Sequence, residues 1–270
     1  MFIFGLDFTS APNRRKPITC VRCELRTTQL TIQRCQALPD FASFEAFLQQ
    51  DGPWIAALDF PFGLPLKLLT NLVWPQNWEG YIQLISTMGK AQFEETLMQY
   101  RAGRPAGDKL HLRATDLIAG AISPMMLHRV PVGKMFFEGA TRLLASGINI
   151  LPCRPTRSER IVLEGYPALV ARKWLGRQPY KSDERKKQAP NHLLARQRLL
   201  AAIRSEELLA SYDVKIDISA EMVTDLISDA MGDRLDAVLC AIQAASAYMQ
   251  RDNNYTIPPG HEIEGWIVTQ

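Results

Sequence analysis

Two aspartates end apolar runs that read as buried strands. Asp7 closes the run in "MFIFGLDFTS", and Asp59 closes the run in "IAALDFPFG". An unpaired carboxylate in such a place is costly, so these groups are expected to be paired, hydrogen-bonded or metal-bound. A late helical stretch, "GDRLDAVLCAIQAASAYM", adds Asp233 and Asp236. Three residues apart, they share a helix face. Acids are favoured in a first helical turn by the dipole alone. Asp236 is less easily explained that way, because it is embedded in the apolar "LDAVLCAI". Four clustered carboxylates raise one another's pKa unless a cation neutralises them. Their hard oxygens suit Mg²⁺ or Mn²⁺. Two such ions about 3.5–4 Å apart can clamp the attacking and leaving oxygens of a phosphodiester.

The elements that must position these acids follow from the patterning. Residues 2–8 read as a strand. "ITCVRCELR" and "TQLTIQRC" are rich in Ile, Val and Thr and read as a hairpin. "DFASFEAFLQQ" spaces Phe41, Phe44, Phe47 and Leu48 as a helix. "DGP" breaks it, and "WIAALDF" returns as a strand. The order β-β-β-α-β predicts an α/β fold whose first and fourth strands are parallel neighbours in one mixed sheet, with helices on both faces. That pairing sets Asp7 beside Asp59.

From about 66 to 147 the chain reads as a mostly helical insertion in a single domain spanning 1–270. Met135, Phe136, Leu143 and Leu144 form the buried side of its last helix. Strands return at "INILP" and "RIVLEGY", and "EIEGWIVT" is expected to close the chain as a last strand. Helices are expected at 167–175, 190–204, 219–229 and 233–249. On the last of these, Leu235, Val238, Leu239 and Ile242 make an apolar stripe. Ala237, Ala241, Ala244 and Ala245 suit close packing on a sheet.

This arrangement resembles the RNase H-like fold, and "DRLDA" resembles the D-x-x-D-A of RuvC-type resolvases. More closely, the chain resembles domain-of-unknown-function family 429, a family of predicted RNase H-like nucleases. The resemblance rests on "GLDFTS", "ALDFPFGLP", "EGYPAL", Tyr180–Lys181 and "DRLDAVLCAI", which span residues 5 to 242. It implies metal-binding roles for Asp7, Asp59 and Asp236, with Asp233 as a fourth ligand. Glu164, in "EGYPAL", has no counterpart in the resolvases. The resemblance leaves it as a fifth ligand among the catalytic carboxylates or as a group that orients substrate or a loop. Together with the chemistry of the acids, this gives an expected activity of Mg²⁺- or Mn²⁺-dependent phosphodiester hydrolysis that leaves a 3′-hydroxyl.

Three basic segments lie near these acids in sequence. "NRRK" contains Arg14 and Arg15, Arg154, Arg157 and Arg160 precede Glu164, and "RKWLGRQPYKSDERKK" contains Lys181, Arg185, Lys186 and Lys187. Trp174 and Tyr180 interleave with the last, a pattern suited to backbone contacts plus base stacking on a nucleic acid. Lys181 is expected to position the substrate, and Arg185 to Lys187 to hold its phosphates. A solvated charged surface is the bland alternative.

The totals are permissive. The chain has 270 residues, 47% hydrophobic and 22% charged, with a net charge of only +3. No basic n-region precedes "MFIFGLDF", and no apolar run approaches the roughly 20 residues of a membrane span. A cytoplasmic protein with no membrane partner is expected. Cys20 and Cys23 have C-x-x-C spacing, but no second pair completes a zinc site, and they read as strand cysteines. Two rival functions share the fold class. An actin- or sugar-kinase-like ATP-binding phosphotransferase would need glycine soon after Asp7, and "DFTSAP" has none. A non-catalytic binding scaffold would not need its acids to converge.

Overall fold

The computed structural model describes residues 1–182 and 184–268; the side chain of Arg185 lies outside this description. The chain begins β1 (Phe2–Asp7), β2 (Ile18–Arg26), β3 (Gln29–Leu38), α1 (Phe41–Gln49) and β4 (Trp54–Leu58), the expected order. The insertion supplies α2 (Leu66–Asn71), α3 (Trp78–Ala102), α4 (Ala114–Ala119) and α5 (Val132–Ser146). Then come β5 (Asn149–Ile150), β6 (Arg160–Glu164), α6 (Pro167–Leu175), α7 (Pro190–Ile203), α8 (Glu206–Tyr212), β7 (Lys215–Asp217), α9 (Ala220–Ser228) and α10 (Asp233–Met249).

Seven strands form one mixed sheet in the order β5-β6-β4-β1-β2-β3-β7. β1 pairs with β4 in parallel, Leu6 opposite Leu58, and β4 pairs with β6 in parallel, Leu58 opposite Glu164. β2 is antiparallel to both β1 and β3. Alternation along the strands sorts their side chains into two cores. Ile3, Val21, Ile55, Ala57 and Leu163 face α6 to α10. Phe4, Leu6, Ile18, Trp54, Leu58 and Val162 face α1, α2, α3 and α5. Phe136 and Leu143 are buried in that second core as expected, and Met135 and Leu144 pack at its margin. Cys20 and Cys23 are free thiols in different cores, which rules out a shared metal or a disulfide between them.

α10 is buried on nearly all sides, with Arg234 its exposed exception before the last turn. It lies on β1 at Gly5, where an added Cβ would collide with the Ala237 carbonyl and with Ala241. Ala237, Ala241, Ala244 and Ala245 are all fully buried, so the small-residue helix packs as expected.

One expectation is corrected, and two elements are additional to those expected. The segment "EIEGWIVT" forms no strand over its described residues; Gly265 has φ 77°, and Ile267 makes one isolated bridge to Glu164. α8 and β7 were not foreseen, because the three-residue β7, "KID", is too short to display alternation. Among the described residues no helix is long and apolar enough to cross a membrane.

Candidate metal centre

Asp7 and Asp59 stand side by side because β1 and β4 end together. The Asp59 amide donates to the Leu6 carbonyl at 3.0 Å, extending the ladder by one residue. Asp7 continues the alternation Ile3–Gly5, and Asp59 continues Ile55–Ala57, so both carboxylates point to the α10 side. α10 starts at Gly232, whose φ of 76° turns the chain into the helix. Because this helix touches β1 at Gly5, its first turn reaches the strand ends and brings Asp236 over them. One carboxylate oxygen each from Asp7, Asp59 and Asp236 lie within 4.8 Å of one another. Asp233 stays outside this group and, with Asp7 and Asp59, lines a cavity of about 210 Å³.

Asp236 is held from two sides. The Tyr180 hydroxyl donates to Oδ1 and the Lys181 ammonium donates to Oδ2. Arg196, buried in α7, fixes this segment by donating to the Tyr180 carbonyl at 2.8 Å. The aliphatic stem of Lys181 crosses Gly232, where a Cβ would meet it at 2.8 Å. Gly232 therefore serves both the helix start and the approach of Lys181.

Burial pushes the Asp7 carboxyl well above its ordinary range; Lys181 pulls it down, and Asp236, Asp233 and Asp59 push it up. Asp59 is raised to about 7, by burial first and Asp236 second. Asp233 is raised to about 6 by burial, against the pull of Lys181. For Lys181, burial favours the neutral amine, but Asp236 and Asp7 outweigh it and keep the ammonium. Asp7 and Asp59 accept no hydrogen bond among the described residues, and both line the cavity. Carboxylates crowded together, short of donors and open to a cavity are a donor set that fits Mg²⁺ or Mn²⁺.

Glu164 does not join them. It has the parity of Val162, so it points to the opposite sheet face. There Arg113 donates to its two oxygens at 2.6 and 2.8 Å, and the Phe62 amide donates at 2.9 Å. The same guanidinium binds Asp116 at 2.7 Å. Burial raises the Glu164 pKa while Arg113 lowers it. A buried, fully engaged carboxylate ties the Phe62 loop and α4 to β6; it is a loop anchor rather than a ligand.

The basic residues are also redistributed. Arg14 and Arg15 are exposed, and their neighbour Lys16 lines the acidic cavity instead. Lys186 is exposed, and Lys187 pairs with Glu184 at 2.6 Å. Arg160 opens β6 at the end away from Glu164, bonded to the Leu48 carbonyl at 3.0 Å, so that basic segment is near the acids only in sequence. Trp174 packs on the first core and donates to Glu207 at 2.9 Å, and Tyr180 is buried on Asp236. The Tyr180 ring is buried and closed to base stacking, and the partly buried Trp174 ring lies against Tyr212. Tyr180, Arg113, Arg196 and Arg129, which also lines the cavity, are the site residues that spacing alone did not single out in these roles.

A second cavity, of about 140 Å³, adjoins the acidic one, and Asp59, Val130 and Met135 line both. Searches of curated proteins and of solved structures each found no match. Residues 5–263 match the family described as "Protein of unknown function (DUF429)", and the chain belongs to it.

Proposed function

For this member of a family of unknown function, we propose a metal-dependent phosphodiesterase that acts on nucleic acid and is built on an RNase H-like fold. The observation that carries the reading is the convergence of Asp7, Asp59 and Asp236, from three separate elements, within 4.8 Å. Such a cluster costs stability in the absence of a cation, and sites that cost stability are typically functional. The fold assignment draws support from the β-β-β-α-β start, from the strand order with β1 central, and from the late helix lying across β1.

Asp7, Asp59 and Asp236 are the residues to hold Mg²⁺ or Mn²⁺, with Asp233 supporting from the cavity wall. Such an ion supplies Lewis-acid polarisation of a phosphoryl oxygen and a water acidic enough to attack near neutral pH. Asp7 and Asp59 offer lone pairs toward the cavity, and Asp236 is oriented by Tyr180 and Lys181. Lys181, partly exposed beside the acids, offsets the charge of an incoming phosphate. Lys16 and Arg129, on the wall of the same cavity, are placed to hold flanking phosphates, in preference to the outlying Arg14, Arg15, Lys186 and Lys187.

The test is a panel of labelled single strands, duplexes, hybrids and branched junctions incubated with Mn²⁺. Wild type is expected to produce fragments with 3′-hydroxyl ends, and Asp7→Asn is expected to produce none. Equal cleavage by both proteins overturns the assignment. One observation favours a non-catalytic scaffold: Lys181 already neutralises Asp236 from within the chain. On that reading the protein neither cleaves any substrate nor binds Mn²⁺.

A further inference from the structure

We propose that the second cavity is a subsite for one unpaired nucleobase, held next to the scissile phosphate. This rests on the phosphodiesterase reading and narrows its substrate to strands that can present an unstacked base. The cavity shares Asp59, Val130 and Met135 with the acidic one, so the two are halves of one groove on either side of Asp59. A phosphodiester placed at the acids directs its attached nucleoside into the neighbouring half.

The lining of that half fits a flat neutral ring. Its surface is mostly apolar, with Phe60, Pro61, Ile122, Val130, Met135 and Tyr166 among its lining. Ile122 and Val130 are 42% and 48% exposed, leaving apolar surface uncovered at the mouth. Tyr166 presents a half-buried ring, whose hydroxyl accepts from Arg172 at 2.8 Å, with the guanidinium 5.3 Å from the ring centroid. An aromatic face backed by a cation is the kind of platform on which bases stack. The cavity volume of about 140 Å³ accommodates one ring system and excludes a base pair.

The wall also says what does not bind. Of its charged groups, Asp59 belongs to the acidic cluster, and Arg113, Asp116 and Glu164 satisfy one another at 2.6 and 2.7 Å. Two carboxylates against one guanidinium leave a net negative wall, which repels phosphate and accepts a neutral base. With those donors and acceptors engaged, the subsite grips by stacking and does not read sequence.

The experiment measures affinity of the intact protein for fluorescein-labelled 12-nucleotide single strands by anisotropy, with Ca²⁺ as the hard cation. One abasic position is moved along the strand. The expected result is about tenfold weaker binding when the gap falls at one position, with little change elsewhere. A fully paired duplex is expected to bind more weakly than the single strand. Ala121→Phe, which plugs the cavity from a half-buried position, is expected to bind every strand as wild type binds the weakest abasic one. Tyr166→Leu provides a second variant should the first fail to fold, with thermal melts as the control. Uniform affinity across the abasic series, or variants that bind like wild type, overturns the base subsite and leaves the phosphodiesterase reading standing. Absence of nucleic-acid binding by wild type overturns both.

Discussion

The ammonium of Lys181 is bonded to Asp236, 55 residues further along the chain, and this pair divides the three acids into unequal members. Asp236 has two donors, Lys181 and Tyr180, whereas Asp7 and Asp59 have crowding and burial without a donor among the described residues. From the cluster alone, Asp7→Asn and Asp236→Asn are both expected to leave the metal-free protein at least as stable. The pair reverses the sign for Asp236. Asp7→Asn and Asp59→Asn should raise the melting temperature in chelator, because each removes repulsion. Asp236→Asn should cost about 1–3 kcal/mol, because a partly buried ammonium and the buried Tyr180 hydroxyl lose their charged partner. Lys181→Met should destabilise the metal-free protein by the same logic. It should also enlarge the stabilisation by Mn²⁺, since the ion no longer competes with the ammonium for Asp236. Thermal melts with chelator and with Mn²⁺ check all four variants. Equal behaviour of Asp7→Asn and Asp236→Asn would show that the pair carries no energy.

A pH dependence follows from the raised carboxyls. Folding lifts Asp59 from an ordinary value of 3.8 to about 7, and Asp233 to about 6. The folded state then holds more protons than the unfolded one across that interval. Stability from these groups is fully present below pH 3.8 and is lost as pH rises through about 6 to 7. The metal-free protein should therefore melt at a lower temperature at pH 8 than at pH 5.5, and Asp59→Asn should flatten that slope. Mn²⁺ affinity should run the other way and rise over the same interval, because the ion competes with protons for the same oxygens. Titration calorimetry at several pH values checks this; affinity independent of pH between 5.5 and 8 would contradict it.

Glu164 separates anchoring from metal binding. Glu164→Gln leaves Arg113 buried with Asp116 as its one remaining carboxylate partner among the described residues. Breaking a buried pair in this way costs about 3–5 kcal/mol. Urea unfolding should report that loss, while Mn²⁺ affinity measured well below the transition should stay within about twofold of wild type. A large loss of Mn²⁺ affinity in a variant of unchanged stability would make Glu164 a ligand after all.

The centre of the sheet was readable from period-two alternation. Ile3–Gly5–Asp7 and Ile55–Ala57–Asp59 give one parity, and the helix crossover makes their strands parallel neighbours. The same rule applied to "RIVLE" sets Glu164 opposite in parity to Leu163 and away from the acids. Its grouping with them came from the family signature rather than from its own strand. The partner of Lys181 was not readable, because the contact depends on α7 and on Arg196 fixing the Tyr180 carbonyl. Trp174 and Tyr180 look like exposed aromatics in a basic run, yet Tyr180 is buried on Asp236, and Trp174 is partly buried and bonded to Glu207 at the surface. A run of charges gives no sign of which of its interleaved rings turn inward.

Gly5 connects packing to chemistry most directly. Its missing side chain is what lets α10 lie on β1, since a Cβ would collide with the Ala237 carbonyl and the Ala241 backbone. Those are backbone atoms of a helix buried on both sides, so neither can swing aside. Gly5→Ala must push the helix away from the strand or bend one of them. Overpacking of this kind costs about 3 kcal/mol. The displacement is greatest where Asp236 meets Asp7, only two residues beyond Gly5 along the strand. Gly5→Ala should therefore lower stability and also weaken Mn²⁺ binding in the fraction that remains folded. Ala245→Ser, a small change further along the same helix, should leave Mn²⁺ binding intact. Urea unfolding and Mn²⁺ titration of the two variants check the contrast. A Gly5→Ala protein with native stability and native Mn²⁺ affinity would mean that α10 does not rest on β1 at this point, and the convergence of Asp7 with Asp236 would fall with it.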